Sequence, residues 1–238
     1  MTAAVATPLL AQTVPVGPFR TEAEAARHQA GFLAAAQKQG YTSRPTFFYR
    51  NRLDITKTKA LRRVGVDMLR MDSSFLIDGS YGYQEQTLFA DWVVRGIVTE
   101  ETGDSSRRVC FHTTYKVKIT EVWQGQLSAE TVTVKTVNGP LGNVRVHVAE
   151  SPEFRRGQEV VLYLNRFDLV GFAEAEKQGL NMCANNATAE DFQVSKAMQV
   201  QPNGYLAGAA GLKVADVRNA VQAIAALLDK EHFYQKEF

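Results

Sequence analysis

The side chains with the sharpest chemistry in this 238-residue chain are two cysteines and four histidines, and their spacing limits what they can do. Cys110 and His112 stand two positions apart, so on a strand both side chains share a face. A cysteine nucleophile needs a base in hydrogen-bond contact and a third group to orient that base. A carboxylate such as Glu121, on the strand that follows, could take the third place. A hydrolase or transferase built on Cys110, His112 and Glu121 is therefore one reading, and same-face packing at the start of a strand is the simpler one. The histidines His28, His112, His147 and His232 lack the short spacings of a zinc site. His147, between valines, reads as an outward residue on a half-exposed strand. Gly139-Pro140-Leu141-Gly142 is a turn and not a phosphate cradle, since no helix follows to offer its amide groups. No GxSxG, Walker-type, HExxH or DxDxDG motif occurs, so neither a cofactor nor a metal is expected.

Cys110 and Cys183 also have a structural chemistry. In an oxidising compartment they can pair, closing a long loop worth about 4 kcal/mol on the chain-entropy model. Otherwise they are two buried thiols acting as small apolar residues. The N-terminal run MTAAVATPLLAQT is small and apolar and resembles the end of an export signal's apolar region, with cleavage after Ala11. No Lys or Arg precedes Arg20, so the alternative is an Ala-rich terminus without a targeting role. Export, to the periplasm or outside the cell, is the expectation carried forward. With 45% hydrophobic and 22% charged residues the composition is that of a globular protein, and no apolar run approaches the roughly 18 residues of a membrane span.

Recognition chemistry falls on two loops. Residues 99–108 (TEETGDSSRR) end in Arg107 and Arg108, and residues 149–157 (AESPEFRRG) place Phe154 beside Arg155 and Arg156. An aromatic with arginines on a fixed loop offers desolvated anchoring and forked hydrogen bonds, which suits a protein or cell-surface ligand. The plainer reading has Phe154 plugging the domain while the arginines are solvated. A third cluster, residues 44–70, carries Arg44, Arg50, Arg52, Lys57, Lys59, Arg62, Arg63 and Arg70 beside Phe47, Phe48 and Tyr49. Such a stripe can read nucleic acid, but it is more simply the solvated face of a helix. The net charge of +2 also argues against a nucleic-acid partner.

The elements that must position these residues follow from periodicity. Thr21-Glu22-Ala23-Glu24 is a capping box opening a helix that Gly40 can close. Leu61, Val64, Met68 and Met71 recur at helical spacing, predicting a second helix over 56–71. From Trp92 the period changes to two. Strands are predicted at 92–98, 113–121, 131–137, 144–148 and 159–165, with a bulge or strand end near Glu121 to Trp123. Tyr115, Val117 and Ile119 face one way there, while Lys116, Lys118 and Thr120 face the other. Pro202-Asn203-Gly204 is a strong turn signal. Val217, Val221, Ile224 and Leu228 predict a final helix over 214–232. Hairpin spacing without intervening helices excludes a doubly wound fold and favours a barrel, which leaves few open edges.

The runs ADWVVRGIV, TTYKVKITEVWQGQL, VTVKTVNGP and SPEFRRGQEVVLYL, with the later LKVADVR, resemble a pattern in uncharacterised bacterial exported proteins. Those proteins carry a small β-barrel similar to OB folds and to the netrin, or tissue-inhibitor-of-metalloproteinase, module. The resemblance covers about residues 88–166 and the terminal helix, and departs from the pattern at Asn138 to Gly142. It implies an α+β fold: an antiparallel five-stranded barrel flanked by N-terminal helices and one C-terminal helix. It implies no catalytic residues. The expected organisation is a signal remnant at 1–12, a helical extension at 13–85, the barrel at 86–175, and a loop, hairpin and packed helix at 176–238. The functional expectation is a non-enzymatic binding protein that uses barrel-end loops.

Overall fold

The computed structural model describes residues 55–66, 82–104, 109–141, 144–148, 151–167, 183–207 and 211–230, with positions 169, 176 and 179. The signal-like start, the helix expected over 21–40, and the aromatic cluster at 47–49 lie outside the described residues.

Helix α1 spans Ile55–Arg63 and ends earlier than the spacing predicts. Gly65 takes a φ of 90°, and the Val66 and Gly65 amides donate to the carbonyls of Leu61 and Arg62. That paired closure terminates the helix and brings Leu61 and Val66 together in one buried cluster. Helix α2, Tyr83–Phe89, has no apolar stripe to announce it, yet Glu85, Gln86, Thr87 and Leu88 are all buried. Its last carbonyls are satisfied from the barrel, where the Gln124 amide donates to Thr87 O and Ala90 O at 2.9 and 2.7 Å.

Strands β1 (Trp92–Gly103), β2 (Thr113–Gln124), β3 (Thr131–Thr136), β6 (Glu159–Arg166) and β7 (Phe192–Gln199) close a barrel in the order β1-β2-β3-β7-β6. Short strands β4 (Gly139–Leu141) and β5 (Val144–Val146) form a separate two-stranded sheet. The order, with β3 beside β7, is that of an OB-like barrel. Two expectations are corrected here. The barrel is mixed, because β3 and β7 run parallel through the pairs Val134–Phe192 and Lys135–Gln193. Its fifth strand is β7 and not the 144–148 run, so the barrel extends past residue 175. The 144–148 valines alternate, but Val144 and Val146 pair with Leu141 and Gly139 of β4 and do not join the barrel wall.

Among the described residues, three clusters form the core. Val94, Val98, Tyr115, Val117, Val132, Val134, Leu162 and Leu164 fill the barrel. Outside the wall, Val93, Trp123, Val161 and Tyr163 meet helix α3, Val214–Lys230, through Val214, Val217 and Val221. Further along α3, Ile224 and Leu228 join Leu61 and Leu88 of the two earlier helices. Coverage on both faces explains why β6 reads as an unbroken apolar run and not as an alternation. Gly96 and Gly139 each permit a close approach. A side chain at Gly96 would meet Lys118 O at 2.6 Å, where β1 and β2 shift register. At Gly139, φ is 149° and a Cβ would lie 1.3 Å from Thr113 Oγ1.

Candidate functional site

The β1–β2 and β6–β7 connections leave the barrel separately and are then fastened to each other. Cys110 and Cys183 form a disulfide with their Cα atoms 5.1 Å apart. Beside it the Cys110 amide donates to Ala184 O at 3.0 Å. Asn186 grips the other connection with both ends of its side chain, accepting from Phe111 N–H at 3.1 Å and donating to Phe111 O at 2.8 Å. Phe111 in turn stacks on Phe167, centroids 4.7 Å apart. The base of the joined loops is ionic: Lys135 on β3 sits 3.2 Å from Asp191 and also donates to Asn186 O. Asp191 accepts from the Thr188 amide and hydroxyl at 2.8 and 3.1 Å. The Trp92 and Phe192 rings meet edge to face, and the Arg166 guanidinium lies 4.0 Å over Phe192. A covalent link, a two-point amide clasp and a buried ion pair thus hold two chain-distant loops as one surface. Arg107 and Arg108 belong to the first loop by sequence and lie outside the described residues.

The second candidate loop leads into β6. Phe154 is 1% exposed and stands edge to face on Tyr115, centroids 5.0 Å apart, inside the barrel. Its amide donates to the Tyr115 hydroxyl at 3.3 Å. Arg155 and Arg156 are exposed on the turn that follows. That turn is closed by Gln158, whose amide donates to Arg155 O at 3.0 Å while its side chain accepts from Arg155 N–H at 2.9 Å. Gly157 takes a φ of 83° there. The ring therefore anchors the loop from within, while the two arginines meet solvent. The neighbouring rim is organised by Asn138, fully buried, which donates to Val148 O and Ser151 O and accepts from Val148 N–H. Arg145 bridges Glu101 and Glu153 across the same rim.

Cys110, His112 and Glu121 are not assembled as a nucleophile, base and orienter. The Cys110 sulfur is committed to the disulfide and offers no thiolate. His112 is partly buried, and its Nδ1 atom has no hydrogen-bond partner among the described residues. Glu121 lies toward the other end of β2, in an ionic network on the outer wall. There Arg95 Nη1 contacts it at 2.6 Å, Trp123 Nε1 donates at 3.0 Å, and Arg218 approaches at 3.4 Å. The indole donor first, and then the two guanidiniums, hold the Glu121 carboxyl below its usual range. His147 is exposed, 3.8 Å from a Glu153 oxygen.

Sequence reasoning missed Asn186 and Asp191, which do most of the clasping. An Asn-Ala-Thr triplet followed by Asp three positions after the threonine is a local turn signature, but its partner Phe111 is 75 positions away in sequence. Among the described residues, no cluster of His, Cys, Asp and Glu is arranged to hold a metal ion. No helix of the described residues is long and apolar enough to cross a membrane. No protein-family model matches the sequence, and no curated protein matches it at a significant level.

Proposed function

We propose that this chain is an exported, non-catalytic binding protein, kin to the bacterial exported barrels of OB and netrin-like kind, that contacts a protein or cell-surface ligand through its rim loops. The observation that carries this reading is the fastening of the β1–β2 and β6–β7 connections by Cys110–Cys183 and Asn186. A loop already fixed loses little freedom when it binds, so less of the contact energy is spent on ordering. In OB barrels these same two connections flank the ligand-binding strands. Disulfides persist in oxidising compartments, which favours export. Arg155 and Arg156, held on a turn anchored by Phe154, add forked donors at a second rim position. The outward residues of β2 and β3 are Thr114, Lys116, Lys118, Thr120, Val122, Thr131, Thr133 and Lys135, with no ring among them for base stacking, which favours a protein over a single-stranded nucleic acid.

The test is a pull-down from the native exported fraction with three baits: wild type, R155E/R156E and R107E/R108E. The reading expects one partner captured by wild type and lost, or cut at least tenfold, by one charge-reversed bait. A partner retained at wild-type level by both reversed baits places recognition elsewhere on the molecule and overturns the loop assignment.

A further inference from the structure

A cleft of about 450 Å³ opens where β1, the turn at 203–205 and the first turns of α3 meet. Arg95, Tyr205, Lys213 and Arg218 line it, around the backbone of Asn203 and Gly204. Every charged side chain on its wall is a cation. Elsewhere on the described surface Lys116 and Arg145 each sit against a carboxylate, whereas Arg155 and Arg156 are solvated. Lys213 has no carboxylate partner among the described residues, and its ammonium stands 5.6 Å from the Tyr205 ring centroid. Arg218 touches Glu121 only at 3.4 Å through one nitrogen, so most of its fork is unspent. Arg95 is fixed more firmly: Nη1 meets Glu121 at 2.6 Å, while Nε and Nη2 each meet Glu159 at 2.8 Å. Those contacts use three of the roughly five N–H groups that a guanidinium carries, and they hold its plane in place.

Three like charges around one concavity raise the local positive potential, which Glu121 and Glu159 offset only in part. The positive end of α3 lies in the same wall and adds to it, set against the one carboxylate of that helix's first turn, Asp216. We infer that this cleft is a binding site for a small oxyanion of the phosphate- or sulfate-monoester class. The guanidiniums of Arg95 and Arg218 supply planar forks to its oxygens, and Lys213 supplies a mobile point charge. The Tyr205 ring forms the wall against which the organic part of such an ester lies. This site stands apart from the rim loops and does not depend on them for its argument.

The test is an amide-shift titration of the folded protein with inorganic phosphate at constant ionic strength, on wild type, K213Q, R218Q and the surface control R62Q/R63Q, exposed on α1. Saturable shifts should concentrate at 203–205 and 213–218. Affinity should fall about tenfold in K213Q and in R218Q, the loss expected for one charge-assisted contact. The surface control should bind as wild type does. Co-sedimentation with vesicles bearing a phosphomonoester headgroup, against neutral vesicles, distinguishes a membrane source from a soluble one. Either source upholds the site. Binding of neither probe, or phosphate binding that is equal in all four proteins, overturns it.

Discussion

At the scale of single residues, neighbours in sequence divide between fold and surface. Phe154 is buried against Tyr115, whereas Arg155 and Arg156 are solvated on the adjoining turn. Phe154→Ala should therefore destabilise the protein by about 3–5 kcal/mol, while Arg155→Ala and Arg156→Ala should each stay within about 0.5 kcal/mol. Urea unfolding measures both, and equal effects would contradict the division of roles. Glu121 gives a pH signature. Its folded-state pKa is lowered by the Trp123 N–H and by Arg95 and Arg218, so its contribution is fully present above the ordinary carboxylate range. That contribution is lost as pH falls through the folded value. Glu121→Gln should flatten the acid limb of the stability profile relative to wild type, and an unchanged limb would show the network to be energetically idle. The alternation Tyr115, Val117 could be read from sequence because each residue has one inward face. The burial of Phe154 could not, since an aromatic beside arginines fits an anchor and a contact equally well.

At the scale of elements, legibility tracked how regularly each segment is buried. Strand β2 and helix α3 show clean periods, and both lie where those periods place them. The bulge sensed near Glu121 to Trp123 corresponds to a register shift between β1 and β2 that turns Trp123 outward beneath α3. Strand β7 escaped because Gln193, Ser195 and Gln199 are exposed and Lys196 is half-exposed, so it lacks a two-residue rhythm of apolar side chains. It is held by long pairing to β6 and only two pairs to β3. Helix α2 escaped because its buried face is polar. The disulfide depends on a 5.1 Å Cα separation across 73 positions, which no local pattern carries. Replacing both cysteines by serine should cost about 4 kcal/mol, the closure term for a loop of that length. A loss under 1 kcal/mol, read by thermal or urea unfolding, would mean that the Asn186 clasp and the Lys135–Asp191 pair already hold the loops without it.

At the scale of the whole molecule, the chain closes a five-stranded mixed barrel, and the two proposed binding surfaces lie on its joined loops and at the cleft beside the start of α3. The architecture was legible because strands at hairpin spacing, followed by an amphipathic helix, admit few closed arrangements. The surfaces were not, because each is assembled from segments far apart in the chain: residues 109–111 with 183–186 at the rim, and residue 95 with 203–205 and 213–218 in the cleft. The account as a whole turns on the rim being covalently locked in the compartment where the protein works. The most direct measurement is peptide mapping of unreduced, alkylated protein taken from its native compartment. The account predicts a cross-linked pair of peptides containing Cys110 and Cys183, with neither cysteine alkylated. Recovery of both cysteines as alkylated free thiols from correctly folded protein would contradict it.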